Sequence, residues 1–328
     1  MNAITNRHDI LILFDVTNGN PNGDPDAGNL PRIDPTSNKG LVSDVCLKRK
    51  VRNFVAAFRK DAEGKPLRGC DILVQQGNVL NREISGAIDQ ATKKLEEKLD
   101  KKASDQQKAE AAMRWLCSQF YDVRTFGGVL STGQDVLKGS AYGQVRGPVQ
   151  FTFARSLHPI TPLEISITRC AVTKEEDVAK ERTMGNKHIV PYALYLAKVF
   201  VSPVFAERTG FTDDDLALFF EALDHMFDHD QSAARPEMAV RAIYDFEHVG
   251  TQGPENAQQN AREAKLGCEH AHKLFAGVTV KLNDPDKEYP ESFDDYGVTD
   301  AWLDKKTGDM VVPGVRLFRR VDPRRNTV

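Results

Sequence analysis

Residues suited to chemistry gather in three places. Asp24, Asp26 and Asp34, with Asp15 just before them, stand in or beside one Asn/Gly/Pro-rich loop, and such carboxylates are a donor set for a divalent cation. The spacing misses the calcium-loop pattern, which needs acids or amides at positions 1, 3 and 5 and glycine at 6. Asp and Asn also build turns by bonding their own backbone two residues on. A turn-forming role is therefore the expectation for Asp24 and Asp26, with metal as the alternative. His225 and His229 stand four apart among Asp224, Asp228 and Asp230, but the glutamate of H-E-x-x-H is missing, so an exposed helical face is expected. Cys268, His270 and His272 make a looser third group.

No G-x-x-x-x-G-K-[ST] loop, G-x-S-x-G elbow or dinucleotide fingerprint occurs, which leaves an enzyme without a strong sequence candidate and implies no cofactor. Five scattered cysteines without a C-x-x-C argue against a disulfide framework and a thiolate zinc cage. With 328 residues, 40% hydrophobic and 28% charged, the chain reads as globular, of one large elaborated domain or two ordinary ones, and not as a disordered or collagen-like chain. No run of about 18 apolar residues suggests a membrane helix and the first residues lack a signal-peptide pattern, so a cytoplasmic protein is expected. The net charge of −3 speaks against a protein that simply coats nucleic acid.

Local charge is far less balanced. Between Ser43 and Lys60, Lys48, Arg49, Lys50, Arg52, Arg59 and Lys60 face only Asp44. Between Asp213 and Asp230 there are seven acids and no Lys or Arg, whereas Arg316, Arg319, Arg320, Arg324 and Arg325 crowd the C-terminal stretch. The expectation is a molecule with separated charge poles.

The elements that position these groups follow from periodicity. DILILFDV, residues 9 to 16, reads as a buried strand, followed by the long loop from 17 to 40. Ser43 is an N-cap, and Leu47, Val51, Phe54 and Phe58 make one apolar helix face with Lys48 and Arg52 on a basic ridge beside it. Residues 86 to 120 read as a charged helical insertion. Strands are expected within 149 to 157, 164 to 171, 192 to 201, 277 to 282 and 315 to 318. A capped helix is expected from Thr212 and another helix from Pro236. The arrangement is α+β. RGPVQFTF, residues 146 to 153, partly matches the RNA-recognition signature at Arg146, Gly147 and Phe153, with a core strand bearing inward Phe151 or Phe153 as the plainer reading.

As a string, LFDVTNGNPNGDPDAGNLPRIDPTSNKGLVSDVCLKRKVRN resembles the repeating backbone subunit of the type I-C CRISPR interference complex, Cascade. The similarity continues through DVRTFGGVL, GQVRGPVQFTFARS, RTMGNKHIVPYALY and CEHAHKLFAGVTVKL. The resemblance implies a right-hand shape within one elaborated domain. An RNA-recognition-like (ferredoxin-like) palm would come from 8–60, 145–171 and 192–328, helical fingers from about 61–144, and a thumb hairpin from about 172–191. It also implies a non-catalytic protein that polymerises along CRISPR RNA and presents it to a target DNA strand. Partners would be further copies and the guide-processing, large and small subunits, with no membrane. The implied guide contacts are Ser43, Lys48, Arg49, Arg52, Arg124, Gly127, Gly128, Gln144, Arg146, Arg182, Met184 and Lys187. Met184 would be a wedge between bases, and Gly185-Asn186 would be the hairpin tip. Similar subunits of type III complexes cut RNA with a metal and a loop aspartate, here Asp24, Asp26 or Asp34, which is the alternative function.

Overall fold

The computed structural model describes residues 2–131, 133, 136–168, 171 and 184–323. In chain order the first part runs β1 (His8–Gly19), the short ribbon β2 (Gly23–Asp24) and β3 (Leu30–Pro31), β4 (Lys39–Val42) and α1 (Asp44–Phe58). A helical section follows: α2 (Leu80–Leu99), α3 (Asp105–Gln119) and α4 (Tyr121–Phe126). Next come β5 (Gly127–Val129), β6 (Gln144–Arg146), β7 (Val149–Phe151), β8 (Ala154–Pro159), β9 (Leu163–Thr168) and β10 (Met184–Val201). The chain continues with α5 (Pro203–Thr209), α6 (Asp213–His225), β11 (Glu237–His248), α7 (Ala257–Leu266) and α8 (Ala271–Ala276). The last strands are β12 (Val278–Leu282), β13 (Tyr296–Asp300), β14 (Met310–Val312) and β15 (Val315–Val321).

The central strand β1 carries an unbroken apolar run, Ile10 to Phe14, because both of its faces are covered. Ile10, Ile12, Phe14 and Val16 share one core with Leu47, Val51 and Phe54 of α1 and Leu216, Phe219 and Leu223 of α6. Leu11 and Leu13 point the other way, into a core with Leu274, Phe275, Tyr296 and Leu317. Along the sheet the order β11-β1-β10-β8 is antiparallel at each step, with α1 between β1 and β8 in sequence and α6 between β10 and β11. That is the βαββαβ order of a ferredoxin-like domain, so the fold is α+β. A further apolar cluster, including Ile84, Ile88, Met113 and Leu116, is built from the helical section and the segments that flank it.

Three expectations are corrected. A strand, β11, occupies the place of the helix expected from Pro236: Val240, Ile243, Tyr244 and Phe246 suit a pleated, buried surface, and pairing with β1 decides over the first-turn proline signal. β10 begins at Met184, well before residue 192, and pairs with β9 as a ribbon. Gly185 and Asn186 therefore lie in a ladder, opposite Ile167 and Ser166, and not at a turn. The charge poles are not separated either. Packing α6 on α1 pairs Arg59 with Glu221 and Lys50 with Asp230, while Arg319 pairs with Asp300 and Arg320 with Asp245. Arg324 and Arg325 lie outside the described residues.

Candidate nucleic-acid interface

At the start of α1, Ser43 is the N-cap and its Oγ accepts the Cys46 amide N–H at 3.4 Å. Its own N–H and O–H both donate to Asn22 Oδ1 at 2.9 Å, which ties the long loop to the helix start. Sequence reasoning missed Asn22, whose only signal is membership of a turn-rich stretch.

The basic ridge of α1 is divided by what packs on it. Arg52 donates to Asp122 at 2.8 Å, and its guanidinium lies 5.2 Å from the Phe126 ring centroid. Lys48 bonds Asp44 one turn back at 2.9 Å and also lies over Phe126. With 14% and 13% of their side chains exposed, Lys48 and Arg52 mainly join α1 to α4. Arg49, one position round the helix, is exposed and makes no ion pair among the described residues.

Arg124, expected on the guide, is an internal residue of the fold. It holds Asp215 bidentately at 2.7 and 3.0 Å and donates to the carbonyls of Cys117 and Gly69. Asp215 in turn closes the capping box with Thr212, so this pair fixes the start of α6 against the helical section. The carboxylate holds the Arg124 guanidinium above its ordinary pKa, although burial works in the opposite direction.

Gly127 and Gly128 form β5 against β6. Gly127 has φ +73°, and a Cβ there would collide with the Val145 carbonyl, so the glycine permits a close backbone approach. Space beside Gly128 is open. Gln144 and Arg146 flank buried Val145 and thus share the exposed face of this ribbon, with Arg146 stacked 4.7 Å from the Phe205 ring.

The β9–β10 ribbon extends from the sheet with every residue of β9 exposed. Met184 is 67% exposed. Strand alternation puts Met184 and Lys187 on opposite faces of the ribbon, so they do not act as one cluster. Arg182 lies outside the described residues.

The acids and histidines of the loops occupy separate places. Asp24 caps a short turn at Asp26 and pairs with Arg32. Asp34 accepts from Thr36 and Ser37 and pairs with Arg155; the amide and hydroxyl donors hold its carboxyl below the usual range. Asp15 is inside the fold with Arg241 and Tyr192, and burial pushes its pKa up despite them. His225 bonds Asp228, His229 lies tilted against the Phe58 ring, and His270 stacks on His272. Among the described residues, no three His, Cys, Asp or Glu side chains converge in a way that would hold a metal ion.

These elements define the class first: an RNA-recognition-like α+β fold enlarged by a helical section and a protruding strand ribbon. Residues 6–300 match the family of CRISPR-associated protein Cas7. A CRISPR-associated protein Cas7 of Haloferax volcanii is 27% identical over 291 residues, covering 84% of this chain and 81% of its own. A solved chain of a CRISPR RNA-guided surveillance complex, pre-nicking, is 19% identical with TM-score 0.45, over 73% of this chain and 75% of that one. Another chain from a CRISPR RNA-guided surveillance complex is 15% identical with TM-score 0.40, over 76% and 71% respectively. The chain belongs to the family of CRISPR-associated protein Cas7.

Proposed function

We propose that this chain is the non-catalytic backbone subunit of a type I-C Cascade, polymerising along CRISPR RNA and presenting its bases to a target DNA strand. The family match over residues 6–300 carries the reading. The subtype rests on the run of motifs from LFDVTNGNPNGDP to CEHAHKLFAGVTVKL. A guide whose sequence is read by base pairing needs a protein that grips phosphates without discriminating bases. Exposed Arg49, the Gln144–Arg146 face, the open approach at Gly128 and the ribbon bearing Lys187 and Met184 offer such contacts. Ser43 and Lys48 support them from the helix start, and Arg182 is assigned to the guide by motif position alone. Head-to-tail copies would extend the track, because a heterologous interface that does not close generates a helix. Guide-processing, large and small subunits would complete the complex.

Purified chain incubated with labelled single-stranded RNA, with and without divalent metal, tests this directly. Retention without cleavage is the expected result. Metal-dependent cleavage that disappears in Asp24→Ala, Asp26→Ala or Asp34→Ala protein would replace the scaffold reading with a ribonuclease.

A further inference from the structure

RNA-recognition domains stack bases on the sheet face opposite their helices. In this protein most of that face lies under α8, β12 and β13, but the cover stops short of the edge formed by β8 and β10. There a cavity of about 350 Å³ is lined by Lys39, Phe153, Arg155, Leu157, Leu196 and Lys198, among others. Strand register fixes its side of the sheet: Lys198 lies opposite Leu11, and Leu196 lies opposite both Leu13 and Arg155. Lys198 Nζ sits 5.4 Å from the Phe275 ring centroid, at the rim of the C-terminal layer.

The lining joins two chemistries. Arg155 pairs with Asp34 yet keeps 58% of its side chain exposed, while Lys39 and Lys198 pair with no acid among the described residues. Three cations thus face one carboxylate. Beside them Phe153 is 55% exposed, and Leu157 and Leu196 are half-buried. Phe153 is also the aromatic at which RGPVQFTF meets the RNA-recognition signature, and it is the outward one, since Phe151 is buried. An acidic peptide would match the cations and leave the apolar wall unused, whereas a nucleotide uses both.

We propose that this cavity holds one nucleotide of a single strand, with its phosphate among Lys39, Arg155 and Lys198 and its base against Phe153, Leu157 and Leu196. The proposal rests on the reading of the chain as a guide-binding subunit and adds a contact on the sheet itself. Lys39 opens the strand that leads to Ser43; four residues at about 3.3 Å each put the two about 13 Å apart, so one strand can reach both.

Anisotropy of a labelled single-stranded RNA with the full chain reads the guide, and adding labelled complementary DNA to the preformed complex reads the target strand. Melting curves establish that Phe153→Ala and the Lys39→Gln, Lys198→Gln double variant are folded. Phe153→Ala is expected to weaken one of the two steps by about tenfold, within the range for a stacked base. The double variant is expected to reduce the magnitude of the log affinity against log salt slope at that same step by about 1.4. Whichever step responds identifies the strand. Folded variants with unchanged affinity and slope at both steps would overturn the cavity's role and leave guide binding intact, whereas failure of the unaltered chain to bind RNA would overturn guide binding itself. Lost assembly of copies on long RNA, with unchanged binding to RNA too short for two copies, would assign the cavity to a protein segment and also refute the proposal.

Discussion

Replacing Arg124 with methionine separates a structural role from a guide-binding one. The substitution keeps much of the side-chain volume but leaves the Asp215 carboxylate without its bidentate partner and the Cys117 and Gly69 carbonyls without their donor. The side chains of the pair are only 9% and 12% exposed, so water offsets little of the loss. Breaking a buried pair from one side costs about 3–5 kcal/mol. Unfolding entropy of about 2.1 cal/mol/K per residue gives roughly 0.7 kcal/mol/K for 328 residues, so a loss of about 4 kcal/mol lowers Tm by about 6 °C. Adding Asp215→Asn removes the stranded charge, and the double variant should be less destabilised than the sum of the single ones. Calorimetry reads the stability change, and RNA anisotropy below the transition reads binding, for which affinity and salt slope should be unchanged. An unaltered Tm together with a slope reduced by about 0.7, the signature of one lost contact to single-stranded phosphate, would refute this assignment and return Arg124 to the guide.

Arg49→Glu should weaken RNA binding and reduce the salt slope by at least about 0.7 with little change in Tm, since the side chain is exposed and unpaired among the described residues; an unchanged slope would remove Arg49 from the interface. Single mismatches walked along a target should be tolerated at evenly spaced positions where the ribbon displaces a nucleotide, and Met184→Ala should blunt that pattern, because an inserted wedge must offset an unstacking cost of a few kcal/mol. A smooth profile from the unaltered chain would reject the wedge. His8 is buried against Asp245; burial lowers its pKa, but the carboxylate's charge and hydrogen bond outweigh this and leave it raised. A raised folded value means that the contribution of His8 to stability is complete below its unfolded pKa of about 6.5 and is lost as pH rises through the folded value. Melting temperatures measured upward from about pH 5 should therefore fall across that window, and a His8→Gln protein with the same slope would show that another group is responsible.

What could be read locally was legible in the sequence. DILILFDV announced a strand buried on both faces, Ser43 and Thr212 announced caps, and the apolar spacing of Leu47, Val51 and Phe54 announced the face that α1 buries. Each signal depends on neighbours within a few positions, where backbone geometry imposes a period of 2 or 3.6. The motif strings also led to the right family, because they span loops as well as elements.

Tertiary structure alone decided which charges remain available. Arg124 and Asp215 are 91 positions apart, and Arg52 and Asp122 are 70 apart, so no local period links them. Chain folding brings acid to base and converts expected surface contacts into internal ones, because a charge taken out of water needs a partner. The same docking neutralised much of the basic and acidic segments and left Arg49 outside. Pairing with β1 made a strand of the residues after Pro236. The folded sheet also placed Phe153 and Lys198, which are distant along the chain, around one cavity that neither segment could announce alone.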